Sequence, residues 1–488
     1  MTLNVLFLAA EADPFVKIGG LGDVAGALPT AISNFSQNEA HIYEIDIRLV
    51  LPFYPVIKQK IKNPKFLGKL PVHKTTDEEL CDVYLDESQI YPVYLLDGDP
   101  IRKSAEVYNS NPILDSEKFT FFSLAALSLP DFLNWKVDIL HCNDWHTAIA
   151  IYALQSIRKT SQFLRNTKTV HTLHNLPYMG TGSEPALLSY GIKPAKSSTL
   201  PYWARHTPLP LGLLYADKIV AVSPNYAQEI ITPDFGCGLE DFLKSRKAKI
   251  TGIINGLDYE KWDPTSDPVI KANYSIDSLI QRKTNKTYLQ KKFKIDVDDR
   301  IPLLSIVSRM DPQKGIDIAL EGLRRTQEKH WQAIILGTGN SDVEKLACTL
   351  ENELPKRVRS IIDYDSKLAN QLYAGADIFL MPSRYEPCGL SQLIAMRYGC
   401  VPIARATGGL VNTIKHVSHK IDGGTGFLFD KPYPSTFART LTRSLRLFKD
   451  NQFWQKIQIN GMTSNFSWEN SAAKYIELYR VLVNNQQR

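Results

Sequence analysis

Ser383-Arg384-Tyr385-Glu386-Pro387-Cys388-Gly389-Leu390-Ser391-Gln392 is a polar loop set between two apolar segments. Before it runs Asp377-Ile378-Phe379-Leu380-Met381-Pro382, which has the length and character of a strand. After it, Leu393 to Tyr398 followed by Gly399 predict a helix with a glycine stop. A strand, a loop with one carboxylate and a helix thus follow one another. In open α/β sheets, ligands bind at the carboxyl ends of strands, where helix N-termini offer N–H groups to anions. Val401-Pro402-Ile403-Ala404 repeats the pattern, and Thr407-Gly408-Gly409-Leu410 opens the next helix. Two successive units of this kind predict a site for a sugar and a phosphate. Taken alone, Glu386 reads equally well as a solvated loop carboxylate, and the glycines as helix caps.

Working outward, Ser308-Arg309-Met310-Asp311-Pro312-Gln313-Lys314-Gly315 is another strand-to-helix turn, bracketed by Arg309 and Lys314. Two cations there can hold a diphosphate, arginine bidentately and lysine as a point charge. Leu336-Gly337-Thr338-Gly339 adds a glycine turn on the same edge. Near the start, Asn4 to Ala10 is a fully apolar strand, as in parallel sheets covered on both faces. The loop after it holds Glu11, Lys17, Gly19, Gly20, Gly22 and Asp23, with Asp23 expected to cap a helix from Val24 to about Ile32. Its glycines let the backbone approach a phosphate. The spacing is neither the dinucleotide GxGxxG nor a Walker A loop. Val137 to His141 and Thr169 to Leu173 are strands, so Asp144 and His174 follow consecutive strand ends and are expected to share one crevice. A lone histidine at a strand end is more often a packed residue than a catalytic one.

Together these motifs resemble the bacterial glycogen synthase and plant starch synthase family. The resemblance rests on Ser383 to Gln392 with Thr407-Gly408-Gly409, on Lys17-Ile18-Gly19-Gly20-Leu21-Gly22-Asp23-Val24, and on Asp144-Trp145-His146 with His174-Asn175-Leu176. It covers nearly the whole chain. It implies the GT-B fold, two Rossmann-like α/β domains facing an interdomain cleft. It also implies retaining transfer of glucose from ADP-glucose to the non-reducing end of an α-1,4-glucan, with no cofactor and no metal. The implied catalytic residues are His174, Asp144, Arg309, Lys314 and Glu386. The implied substrate contacts are Lys17, Gly19, Gly20, Asn175, Asn255, Gly337, Tyr385, Cys388, Gly389, Leu390, Thr407, Gly408 and Gly409. Eight positions after Glu386, where the wider retaining superfamily often has a second glutamate, stands Ile394. Front-face transfer is therefore implied in place of a two-carboxylate double displacement. Rival readings on the same fold are a sucrose-phosphate or trehalose-phosphate type transferase; a catalytically silent glucan-binding scaffold is a rival of another class.

The sequence departs from the family at three places. Gly22 stands where the family more often has alanine, a change expected to be silent. Residues 97–111 lack the usual glycine-marked aromatic loop, and residues 206–213 are a proline-rich version of their segment. The expected domains are 1–262 on the acceptor side, completed by a C-terminal helix 468–488, and 263–467 for the nucleotide sugar. The helix carries an apolar stripe of Ala472, Tyr475, Ile476, Tyr479 and Leu482 at helical spacing.

Bulk composition agrees. The 488 residues are too many for one ordinary domain, and 44% hydrophobic with 22% charged content is that of a globular protein. A net charge of +6 without a Lys/Arg cluster points away from nucleic-acid and anionic-membrane partners. The six cysteines are scattered without a CxxC pair, which suits free thiols in a reducing compartment. Thr2 to Ala10 is apolar but shorter than the roughly 20 residues of a membrane span. A cytoplasmic location is expected; composition leaves the oligomeric state open.

Overall fold

The computed structural model describes residues 2–38, 44–104, 106–418 and 423–484. The chain forms two compact units: Met1–Gly256 with the segment from Trp468 onward, and Leu257–Ser467.

The first unit is built on a nine-stranded sheet among the described residues. Its strands are β1 (Thr2–Leu8), β2 (Glu44–Pro52), β3 (Lys65–His73), β4 (Glu78–Asp86), β5 (Val93–Asp97), β6 (Ile139–Asn143), β7 (Lys168–Leu173), β8 (Lys218–Ala221) and β9 (Ile250–Gly252). Their order across the sheet is β3-β4-β5-β2-β1-β6-β7-β8-β9. The pairs β3–β4 and β4–β5 are antiparallel, and the others are parallel. The apolar run of β1 and all five residues of β6 are buried, because helices cover both faces of the parallel part.

The second unit carries β10 (Leu303–Val307), β11 (Gln332–Leu336), β12 (Val358–Ile361), β13 (Ile378–Met381), β14 (Val401–Arg405) and β15 (Phe427–Phe429). They form one parallel sheet in the order β12-β11-β10-β13-β14-β15. Alternate residues of these strands feed two apolar clusters, Leu304 and Ile306 on one face, Leu303 and Phe379 on the other. This is the doubly wound strand order, and the first unit repeats it once the β3–β4 hairpin is set aside. In each sheet the winding reverses at one place: between β1 and β6, and between β10 and β13. The loops after those four strands are where such folds bind ligands.

The final helix, Trp468–Asn484, belongs to the first unit. Ala472, Tyr475, Ile476, Tyr479 and Leu482 are all buried. Tyr479 Oη lies 2.6 Å from His141 Nδ1 on β6, and Ser471 Oγ donates to Ile254 O at 2.6 Å. Residues 485–488 of the expected helix lie outside the described residues. The boundary between units falls at 256, not 262, because Leu257 to Trp262 pack within the second unit. Leu257 N–H donates to Phe466 O at 2.7 Å, Tyr259 Oη to Ser464 O at 3.0 Å, and the Trp262 ring meets those of Tyr373 and Tyr398.

Candidate active site

The loop after β1 folds around a carboxylate. Glu11 is 1% exposed; its Oε2 accepts from the Ile18 and Gly19 amides, the latter at 3.0 Å, and its Oε1 accepts from Tyr108 Oη at 3.0 Å. Burial pushes its pKa up, and the two amides and the tyrosine pull it back. The helix that follows spans Gly20–Asn38, so Asp23 is not its cap. Asp23 sits in the first turn and pairs with Lys17 Nζ at 2.5 Å. Gly22 sits in a tighter place than a silent change suggests. A Cβ there would lie 2.9 Å from Glu11 Oε2 and 3.2 Å from Lys17 Cα, within the tightest part of the turn. Beside Gly20 the space is open.

Tyr108 belongs to the divergent 97–111 segment, which has its own anchor. Lys118 is fully buried, with Nζ donating to Asp115 Oδ1 (2.7 Å), Ser104 Oγ (2.9 Å) and Val107 O (2.8 Å). Desolvation lowers its pKa, and Asp115 opposes this. Asp115 also takes the Asn109 amide at 3.0 Å. The proline-rich segment becomes the buried helix Pro208–Tyr215, where Gly212 lets the backbone meet Ala148.

Across the switch point, β6 ends in Asn143 and the helix Asp144–Ile157 begins. Asp144 has a φ of +52°, a left-handed conformation uncommon outside glycine but one that aspartate adopts more readily than most residues. That bend lets Oδ1 accept from the His174 amide at 2.7 Å and the Asn175 amide at 3.3 Å. Asp144 and His174 are therefore neighbours, through the backbone of His174. The His174 ring lies against Asn143, Nε2 to Oδ1, at 2.9 Å. Burial raises the Asp144 pKa to about 7 and lowers that of His174 to about 3. His141, His146 and His171 are buried beside them and also lowered, mainly by desolvation. Asn175 and Asn255 each keep a buried side-chain oxygen without a partner among the described residues.

In the second unit, Lys314 Nζ reaches both Glu386 oxygens, at 3.0 and 2.7 Å, and Ser383 Oγ donates to Glu386 Oε2 at 2.9 Å. The expected sugar-binding carboxylate and phosphate-binding lysine are thus partners of each other. Arg309 is 63% exposed at its side chain and lies 3.2 Å from Asp311. Asp311 Oδ1 caps the turn by accepting from the Lys314 amide at 3.2 Å. Arg384 secures the Glu386 loop through Asp317, at 2.8 and 2.7 Å, and holds that carboxyl below its usual range.

The glycines have a structural task here. A Cβ on Gly408, whose φ is +45°, would overlap the Glu386 carbonyl, and one on Gly409 would overlap that of Cys388. The Gly409 amide donates to Glu386 O at 3.0 Å, so it is engaged within the protein and not open to a phosphate. Gly337 likewise lets its turn meet Ser308 O, and Met310 N–H donates to Thr338 O at 2.9 Å, which braces the Arg309 loop. Thr407 and Cys388 are buried, Tyr385 and Gly389 are half-buried, and Leu390 precedes the helix Ser391–Arg397. Ile394 faces the apolar core.

Glu11, Asn143 and Ser383 were not expected as site residues. For Ser383 the signal was present: a hydroxyl three positions before a loop carboxylate. For Glu11 it was a carboxylate at the end of a fully apolar strand. Among the described residues, no group of three or more His, Cys, Asp or Glu side chains is arranged to hold a metal ion.

The starch synthase catalytic domain family matches residues 4–245, and glycosyl transferases group 1 matches residues 288–458. A glycogen synthase of Bacillus cereus (strain B4264) is 36% identical over 485 residues, covering 99% of this chain and 100% of that one. A glycogen synthase of Clostridium beijerinckii is 37% identical over 485 residues, covering 98% and 99%. The catalytic domain of starch synthase IV from Arabidopsis thaliana, solved bound to ADP and acarbose, superposes with a TM-score of 0.88 at 29% identity, covering 99% and 100%. A sucrose-phosphate synthase from Thermosynechococcus elongatus shares the fold, with a TM-score of 0.61 at 18% identity over 99% and 100%.

Proposed function

The chain belongs to the glycogen and starch synthase family of glycosyltransferases, and from that premise we propose that it transfers glucose from ADP-glucose to the non-reducing end of an α-1,4-glucan, retaining anomeric configuration. The observation that carries the residue roles is the cluster of Lys314, Glu386 and Ser383 at the switch point of the second sheet. Glycosyl transfer develops negative charge on the departing diphosphate and positive charge on the sugar. Lys314 and Arg309 neutralise the first. Glu386 binds sugar hydroxyls, and its ion pair holds Lys314 in place before the donor arrives, so little reorganisation remains. With Ile394 where a second glutamate would stand, the phosphate itself assists deprotonation of the acceptor. His174 binds the sugar, and Asp144 fixes the turn that presents it. ADP bound to the Arabidopsis relative supports the adenine nucleotide. Likeness to bacterial glycogen synthases supports our assignment of the reaction to the cytoplasm.

Purified protein given radiolabelled ADP-glucose and glycogen should lengthen the outer glucan chains, and do so faster than with UDP-glucose. Label passing to a hexose phosphate and not to glycogen would replace this reading with the sucrose-phosphate type. Binding of glycogen without any turnover would leave only a scaffold.

A further inference from the structure

Asn143 is 1% exposed, and its other polar groups are committed. Its amide N–H donates to Thr147 Oγ1 at 2.7 Å, and its carbonyl accepts from the same hydroxyl at 2.9 Å. Its side-chain Nδ2 donates to Leu8 O on β1 at 2.9 Å. A backbone carbonyl can only accept, so the atom facing Leu8 must be the NH2 group and cannot be Oδ1. Oδ1 therefore faces His174 Nε2, at 2.9 Å, and an amide oxygen can only accept. The proton must then sit on His174 Nε2. In a neutral imidazole that leaves Nδ1 as a lone pair, and no described residue donates to it. His174 itself is half-buried, so part of the residue is open to solvent or a ligand.

We propose that Asn143 is a positioning residue that locks His174 as its Nε2–H tautomer, so that Nδ1 accepts a hydrogen bond from a sugar hydroxyl. This rests on the reading of His174 as a sugar-binding residue. It gives the ring a defined chemistry: it is an acceptor of fixed orientation and takes no part as a general acid. The titratable groups around it are Asp144, which holds its backbone amide, the rings of His141, His146 and His171, and Glu11 beyond Asp144. None of these donates to Nδ1, so among the described residues the lock depends on Asn143.

Long-range nitrogen–proton spectra of protein labelled with 15N-histidine test this directly, with His174 assigned by the signal lost in His174→Gln. The wild type should show a protonated Nε2 and a bare Nδ1, unchanged from pH 7 to pH 5. In Asn143→Ala the Nδ1–H form should appear beside it, and turnover at saturating donor should fall about tenfold. Loss of a purely structural bond would lower the unfolding midpoint without altering the tautomer ratio. A wild-type ring protonated on Nδ1, or an unchanged ratio in Asn143→Ala, overturns the proposal. The wild-type spectrum needs no variant, so it decides the tautomer even if Asn143→Ala fails to fold. Full turnover in His174→Ala would instead overturn the sugar-binding reading while leaving the tautomer assignment standing.

Discussion

The two switch points place ionisable groups under opposite conditions. Around β1 and β6 most of the groups are buried, the imidazoles are neutral, and the carboxylates Glu11 and Asp144 are held by backbone amides, with Lys17 and Asp23 the one charged pair described for that loop. Around β10 and β13 the groups are charged pairs. The Lys314 side chain is 19% exposed, that of Glu386 6%, and Arg309 stands largely in solvent. Amides and neutral rings impose direction, whereas exchangeable ion pairs supply charge. The first arrangement suits recognition of hydroxyls and the second suits a departing diphosphate. One sheet topology thus carries two electrostatic designs, and the difference lies in what each loop places against its strand ends.

The largest effect that tests this contrast is on the charged side. Lys314→Ala and Arg309→Ala should each lower turnover by ~10²–10³, the size of losing a contact that strengthens in the transition state. Near-wild-type turnover at saturating donor, in a folded variant, would remove the diphosphate assignment. Next comes the backbone that supports Glu386. Gly408→Ala should cost about 2–4 kcal/mol and raise hydrogen exchange across residues 383–392, because its Cβ meets the Glu386 carbonyl at a positive φ. Gly182→Ala is the control, with a φ of +88° but open space around it, and should cost about 1 kcal/mol. Equal costs at both positions would mean that backbone strain alone matters.

Acid should separate the two units. His141, His146, His171 and His174 have lowered folded pKa values, so unfolded chain binds protons below about pH 6.5 that the folded unit refuses. Their stabilisation is complete above 6.5 and is lost as pH falls toward about 3. Asp144, raised to about 7, and Glu11 act in the opposite sense, favouring the fold at low pH, but four imidazoles outweigh two carboxyls. In the second unit Asp317 is lowered by Arg384, so its contribution fades only below about pH 4, and His416 is the one lowered imidazole among the described residues. Hydrogen exchange at pH 7 and pH 5 should show β6 and β7 losing protection before β10 and β13. Simultaneous loss, or the reverse order, would break the comparison.

Smaller effects sharpen it further. Gly22→Ala should cost about 1 kcal/mol, since it presses on Glu11 inside a tight turn. A wild-type unfolding midpoint in that variant would show that the turn relaxes freely. Chelation by EDTA should leave turnover unchanged, because Lys314 and Arg309 carry the charge in this reading. Activity lost to EDTA and restored by Mg²⁺ would count against it.

Much of the fold was legible because buried parallel strands are spelled as apolar runs. Asn4 to Ala10, Asp377 to Pro382 and Val401 to Ala404 each end in a polar loop, and the stripe of the last helix shows its buried face. The hydrogen-bonding of the site was less legible, for a physical reason. Glu11 and Asn143 bond to the backbone of Ile18, Gly19 and Leu8, and a backbone partner leaves no residue-type signature. Glycine patterns share the weakness. Gly408 and Gly409 read as a ligand loop or as helix caps, and nothing in the pattern says that the Glu386 loop packs against them. Asp23 fits a cap and a first turn equally well in sequence, and only the start of the helix at Gly20 distinguishes the two.

The bond between His141 and Tyr479 has a consequence for synthesis. A ribosome makes all of Leu257–Ser467 before it reaches Trp468. The first unit therefore waits, with β6 exposed where the last helix belongs, while a complete second unit emerges and can fold. Domains usually mature in the order of their sequence. Here the unit begun first is finished last, and a nascent chain stalled before residue 468 should present a folded second unit beside an unfinished first one, a natural target for chaperones.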